Sequence, residues 1–193
     1  MKRVFLLATA LVTGLTGCSS APETTGALYL LPKAETKTSN QMSVAERPLL
    51  VIRPAQLASY LNDNSIVYRT SDTQIVQAKR HQWAQSISEQ ITQRVVAELR
   101  QKQSDYWPVE MNNLLDQSGE SKLQLTLNKF NGSYQGNAEL EGEWLLIDAS
   151  GNVVRSSQVK ILMPLQDEGY DALVDALSAG LNQLTDDMAA QLQ

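Results

Sequence analysis

Cysteine, histidine and long apolar runs are nearly missing from this chain, and each shortage excludes a class of chemistry. Cys18 is the only cysteine in 193 residues. No intramolecular disulfide can form, so packing has to hold the fold even in an oxidising compartment. Zinc sites of the usual Cys/His kind need several such ligands and are nearly excluded on the same count. His81 is the only histidine, and a Ser-His-Asp triad or a histidine metal site would have to use it. It stands in Lys79-Arg80-His81-Gln82, which reads as an exposed helix start among cations. The chain has no Walker loop, no Gly-x-Ser-x-Gly elbow and no dinucleotide fingerprint, so no cofactor is expected. Positive charge is also short. Sixteen Lys and Arg face 21 Asp and Glu, for a formal charge of −5. Such a chain is a poor ligand for nucleic acid, whose binding depends on neutralising phosphates, and it cannot hold an anionic membrane by net charge. No internal repeat of solenoid length is visible.

One short apolar run is present, at the beginning. Lys2 and Arg3 precede Val4 to Val12, and Leu15-Thr16-Gly17-Cys18 closes the segment. This is the n-region, h-region and small-residue cleavage site of an export signal. It is too short for a bilayer span, which takes about 20 residues. A transmembrane anchor and a plain secretory signal are the alternatives to the reading that follows. The last four residues resemble the lipobox of bacterial lipoproteins, which implies that Cys18 becomes the mature N-terminus and carries acyl chains. Ser19, where an aspartate would favour retention at the inner membrane, resembles the pattern of lipoproteins forwarded to the outer membrane. Residues 1–17 then read as a removed signal peptide, 18–26 as a lipidated tether and 27–193 as one domain. Losing Lys2 and Arg3 takes the charge from −5 to −7. Acyl chains contribute about 0.8 kcal/mol per buried methylene, enough for several of them to hold the protein to a bilayer. Ser19 to Gly26 is small and polar and spans about 25 Å at full extension.

The pattern along the domain alternates strands and helices. Ala27 to Leu31 is a strand candidate stopped by Pro32, Lys33 to Arg47 a surface loop, and Leu49 to Arg53 a buried strand closed by Pro54. Gln56 to Leu61 reads as one helical turn. Ser65–Arg69 and Thr73–Gln77 flank a hairpin turn at Thr70-Ser71-Asp72. Trp83, Ile87, Ile91, Val95 and Leu99 recur every four residues and mark a helix from about Gln82 to Gln103. Val109 sits in a short strand candidate, and Asn112 to Glu120 reads as a loop. Leu123-Leu125-Leu127 and Ala138-Leu140-Gly142-Trp144-Leu146 show the alternation of half-buried strands. Val153 to Met163 is a third strand. A last helix runs from about Glu168 to Gln191, with Gly180 in its middle at a cost of about 1 kcal/mol against alanine, which close packing on the sheet would offset. The expected fold class is α+β, a mostly antiparallel sheet with two long helices packed on one face.

Three groups of side chains merit attention as sites. Glu139, Glu141 and Glu143 project from one strand face. Three carboxylates could bind calcium or meet a basic partner, and a solvated face is the ordinary state. Trp83, Trp107 and Trp144 could line a lipid-accepting groove, against the default of core packing. Tyr106-Trp107-Pro108 is an aromatic pair on a loop, a better interface candidate than one inside an element. Asn131-Gly132-Ser133 matches a glycosylation acceptor and is read as a turn. No constellation points to catalysis, and no metal site is expected.

Ala27-Leu28-Tyr29-Leu30-Leu31-Pro32, Leu49-Leu50-Val51-Ile52-Arg53-Pro54-Ala55, Leu57-Ala58-Ser59-Tyr60-Leu61, Ser65-Ile66-Val67-Tyr68-Arg69 and Trp83, in this order behind the lipobox, resemble the ABC-type transport auxiliary lipoproteins, the PqiC (YmbA) group of intermembrane transport lipoproteins in particular. The resemblance covers nearly the whole mature chain. It implies a noncatalytic outer-membrane tether, with its domain in the periplasm, that docks an MCE-domain (PqiB-like) protein forming a lipid conduit. It also suggests self-association, a ring being one form that would take. A lipoprotein regulating a cell-wall synthase is the alternative client relationship, and a carboxylate-based periplasmic hydrolase a third reading.

Overall fold

The computed structural model describes residues 26–33, 47–116 and 118–193. Cys18, the signal segment, most of the tether and most of the 33–47 loop lie outside them. The spine of the sheet is β7 (Ser121–Ser133). Strand β8 (Asn137–Ile147) runs antiparallel along one edge of β7, and β9 (Val153–Pro164) follows antiparallel to β8. Gly136 and Gly151 turn the chain between them at φ of 77° and 85°, a backbone region that glycine enters without a Cβ penalty.

Three short strands lie end to end along the other edge of β7. They are β2 (Leu49–Ile52), β3 (Gln56–Leu57) and β4 (Ser65–Arg69), and all run parallel to it. Strand β5 (Ile75–Trp83) forms the expected hairpin with β4. Strand β1 (Ala27–Tyr29) adds in parallel to the end of β5, and β6 (Trp107–Glu110) in parallel to β2. The sheet is therefore mixed. Its long ladders are antiparallel, as the meander pattern implies, while the short N-terminal strands enter in parallel because each returns to the same edge of β7.

Two long helices cover one face of this sheet, as the sequence pattern implies. Helix α3 (Tyr170–Leu192) packs on β7, β8 and β9. Helix α1 (Ile87–Lys102) packs on β2 and β6, and the two helices meet. Ile87, Ile91, Val95 and Leu99 are buried on α1, and Leu173, Leu177, Leu181, Leu184 and Met188 on α3. They close on Leu123, Leu125, Leu127, Leu140 and Trp144 from the sheet. Truncating any of these to alanine would cost about 2–5 kcal/mol. Gly180 packs as closely as its position requires. A Cβ there would lie 2.6 Å from Leu140 Cδ1.

Several boundaries differ from the sequence reading. Helix α1 begins at Ile87, because Gln82 and Trp83 end β5. Trp83 extends the four-residue stripe by coincidence and packs its buried ring on Phe130 instead. Helix α3 begins at Tyr170 after Gly169, whose φ of 101° reorients the chain. Gln56 to Leu61 splits into β3 and a 3-10 turn at Ser59–Leu61. The 112–120 segment holds a single helical turn, α2 (Asn113–Asp116), capped by Asn112 Oδ1, which accepts from the Leu114 and Leu115 amides. Asn131-Gly132-Ser133 is buried inside β7 rather than forming a turn, so its amide is not presented as a glycosylation acceptor.

Polar residues on α1 serve the chain passing beneath it. Gln90 Oε1 accepts from the Leu31 amide at 2.8 Å, and Thr92 Oγ1 accepts from the Ala55 amide at 2.9 Å. Ser88 donates its hydroxyl to the Ala55 carbonyl at 2.5 Å. These bonds satisfy backbone groups where β2 gives way to β3 and where β1 runs out, which buried irregular chain requires.

Candidate functional site

Trp107 lies in β6, not on a loop, and among the described residues β6 ends the strand order with β2 as its one neighbour. The Trp107 amide donates to the Pro48 carbonyl at 2.8 Å. The guanidinium groups of Arg47 and Arg100 each stand 5.0 Å from its ring centroid. Arg100 Nε is itself fixed by the Pro108 carbonyl at 2.8 Å. Tyr106 is braced through its backbone, its amide donating to Gln103 Oε1 at 2.9 Å and its carbonyl accepting from Gln103 Nε2 at 3.0 Å. Both aromatics are half-buried. The result is a rigid aromatic and cationic ledge at one end of the sheet. Its cation–π contacts contribute about 0.5–1 kcal/mol each at an exposed site.

The three strand carboxylates do project from one face, but they do not share one environment. Glu139 is 3% exposed. It accepts from Arg69 Nε at 3.0 Å, from Arg69 Nη2 and from Asn131 Nδ2 at 3.1 Å. Arg69 also reaches Ser133 Oγ at 3.0 Å and Asp72 at 3.2 Å, and Asp72 takes the Tyr134 hydroxyl at 2.8 Å. Burial pushes the Glu139 carboxyl up, but the hydrogen bonds from Arg69 and Asn131 outweigh it and hold it below the usual range. The same pairing raises the Arg69 guanidinium, the hydrogen bond to Glu139 leading. Glu141 pairs with Lys129 at 3.0 Å and is half-exposed, and Glu143 is exposed. A solvated row of three is thus corrected to one buried ion pair, one surface pair and one open carboxylate. Among the described residues no group of three or more His, Cys, Asp or Glu is placed to hold a metal ion.

His81 is also relocated. It sits on β5 with Nδ1 2.9 Å from the Tyr29 hydroxyl and its ring stacked on Tyr170 at 3.9 Å and 15°. It pins β1 and β5 to the start of α3. Trp83 and Trp144 are buried at 4% and 1% exposure and belong to the core, so of the three tryptophans only Trp107 reaches the surface.

Sequence reasoning missed the charged cluster between the helices. Glu98 is 3% exposed on α1 and accepts from Arg94, from Lys102 Nζ at 2.8 Å and from the Thr185 hydroxyl of α3. Lys102 also reaches the Asn182 carbonyl at 2.7 Å and Asp186 at 2.8 Å. Burial pushes the Glu98 carboxyl up, and the bonds from Lys102, Thr185 and Arg94 hold it below the usual range. The i, i+4 spacing of Arg94, Glu98 and Lys102 is the only trace in the sequence. The cluster lines a cleft of about 600 Å³ between α1 and α3, and its charges are spent on each other. No helix among the described residues is long and apolar enough to cross a membrane.

The arrangement is a helix-covered mixed sheet whose buried ionic groups join its own elements. Residues 29–189 match the model of the family described as ABC-type transport auxiliary lipoprotein component, and the chain belongs to that family. It is 30% identical over 187 residues to the intermembrane transport lipoprotein PqiC of Escherichia coli strain K12, covering 97% of this chain and 96% of PqiC. The PqiC of Shigella flexneri matches to the same extent. Among solved structures, an uncharacterised protein aligns with a TM-score of 0.72 at 25% identity, over 88% of this chain and 99% of its own. Protein XCC0632 of Xanthomonas campestris aligns at 0.62 and 16% identity, over 85% and 90%, and shares the fold.

Proposed function

We propose that the protein is a lipid-anchored, noncatalytic subunit of an intermembrane lipid-transport system. In this reading residues 1–17 are removed, Cys18 carries the acyl chains in the outer membrane, and residues 27–193 form the docking domain in the periplasm. Its client is an MCE-domain conduit of the PqiB kind. The observation that carries the reading is the match to PqiC across 97% of this chain and 96% of that one. The lipobox-like Leu15-Thr16-Gly17-Cys18 supplies the anchor, and a tether of about 25 Å at full extension lets the domain meet a partner away from the bilayer.

The partner surface in this reading is the β6 edge with Tyr106 and Trp107. A ring already held by two guanidinium groups loses little freedom on binding, which suits an interface anchor. Glu143 and the half-exposed Glu141 offer charge to a basic partner. Self-association into a ring belongs to the same proposal.

Crosslinking in intact envelopes followed by purification tests it. An MCE-domain protein is the expected co-purifying partner. Cys18→Ala is expected to leave the domain folded but mislocalised and to weaken the envelope. Trp107→Ala is expected to stay attached and to lower recovery of the partner about tenfold, the mark of a contact worth more than 1 kcal/mol. Recovery of a peptidoglycan synthase instead, or a functional and correctly placed Cys18→Ala protein, would overturn the reading.

A further inference from the structure

Leu28 and Leu30 are 70% and 57% exposed. They stand two residues apart, so both leave the same side of β1 and its continuation, while Tyr29 between them turns inward to His81 and Tyr170. Leu28 lies beside Gln82 in the parallel register. Arg80, two residues earlier on β5, is exposed, and its backbone lies beside Gly26, where the chain enters β1. Lys33 is exposed as well and lines one cleft with Leu30 and Arg94. Apolar side chains beside exposed cations suit the boundary of a bilayer, where the first enter the acyl region and the second lie near anionic headgroups. This spot runs against the net charge of −5.

Chain length selects the occupant. Gly26 is eight peptide steps from Cys18, so even a fully extended tether keeps it within about 30 Å of the acylated residue. An ideal Cβ on Gly26 would lie 3.2 Å from the Arg80 carbonyl oxygen, which places the entry of the tether beside this same patch. The other exposed apolar residues, such as Leu114 and Val154, follow far later in the chain.

We propose that the outward side of β1, with Leu28 and Leu30 beside Arg80 and Lys33, rests on the anionic lipid surface that holds the acyl chains. The proposal rests on the acylation of Cys18. The test uses the acylated full chain in phosphatidylethanolamine vesicles containing phosphatidylglycerol, with a nitroxide on Leu28→Cys, Leu30→Cys or Leu114→Cys. Leu114 lies on α2 beyond β6, at the opposite end of the strand order from β1. All three side chains are exposed, and circular dichroism checks that each variant keeps the fold. Accessibility to oxygen over a nickel chelate is expected to be severalfold higher at 28 and 30 than at 114. Labels at 28 and 30 as open to the chelate as at 114, on protein bound to vesicles, would overturn the surface and leave the anchor standing. Labels shielded from both quenchers would overturn it in favour of a protein partner or second copy. Acylated protein that does not bind the vesicles at all would remove the membrane-anchor reading and this proposal together.

Discussion

Gly142→Ala is expected to cost the domain about 3 kcal/mol, at the upper end of what overpacking does. Gly142 lies opposite Leu127 where the β7–β8 ladder shifts register between Leu127 and Lys129. A Cβ built on it would lie 2.0 Å from the Thr126 carbonyl oxygen and 2.9 Å from Leu127 Cα. Both are backbone atoms of the central strand, so no side chain can rotate away to make room. Moving β7 instead would disturb the strands on both of its edges. Gly119→Ala is the control, since nothing lies within 4 Å of the added carbon. Urea unfolding should show a lower midpoint at an unchanged slope for Gly142→Ala and no shift for Gly119→Ala. Equal midpoints would contradict the packing described here.

Arg69→Met is expected to cost about 3 kcal/mol at neutral pH, because it strands the buried Glu139 carboxylate with Asn131 as its remaining donor. The pH dependence carries a sharper signature. In the native protein the Glu139 carboxyl sits below its unfolded value of about 4.3. Its contribution is therefore complete above that value and is lost as pH falls through the lower folded value. Without Arg69, burial is opposed by the Asn131 hydrogen bond and the charge of Lys129 alone, and the carboxyl is expected to rise above its unfolded value. The variant is then penalised at neutral pH, and the penalty fades as the group takes up a proton on acidification. The stability gap between the two proteins should narrow as pH falls from 7 towards 4. A gap that stays constant would show that Glu139 is not the group through which Arg69 acts.

Alternation and four-residue spacing made the large elements legible. Strand β8 and helix α3 follow their apolar stripes closely, because each buries one face over ten or more residues. The short N-terminal strands were harder. Two to four residues carry no period, and nothing in Leu49–Ile52 or Gln56–Leu57 states that both will lie parallel to one strand far along the chain. Trp83 misled because it continues the α1 stripe numerically while belonging to a strand. His81 followed it into the wrong element.

The candidate sites divide in the same way. Glu139, Glu141 and Glu143 are correctly on one face, but burial of the first depends on Arg69, 70 positions away, a pairing that no local pattern encodes. Glu98 was hidden for a related reason. Its third donor, Thr185, comes from another helix. Trp107 stood out by residue type alone, and its bracing by Arg47 and Arg100 appears only once β2 and β6 pair.

The account turns on the chemistry at Cys18, and the intact mass of the protein extracted from native envelopes tests it most directly. The expected product begins at Cys18 and is heavier than the 18–193 polypeptide by the mass of its acyl groups. A product with a free thiol there, or one still carrying residues 1–17, would contradict it.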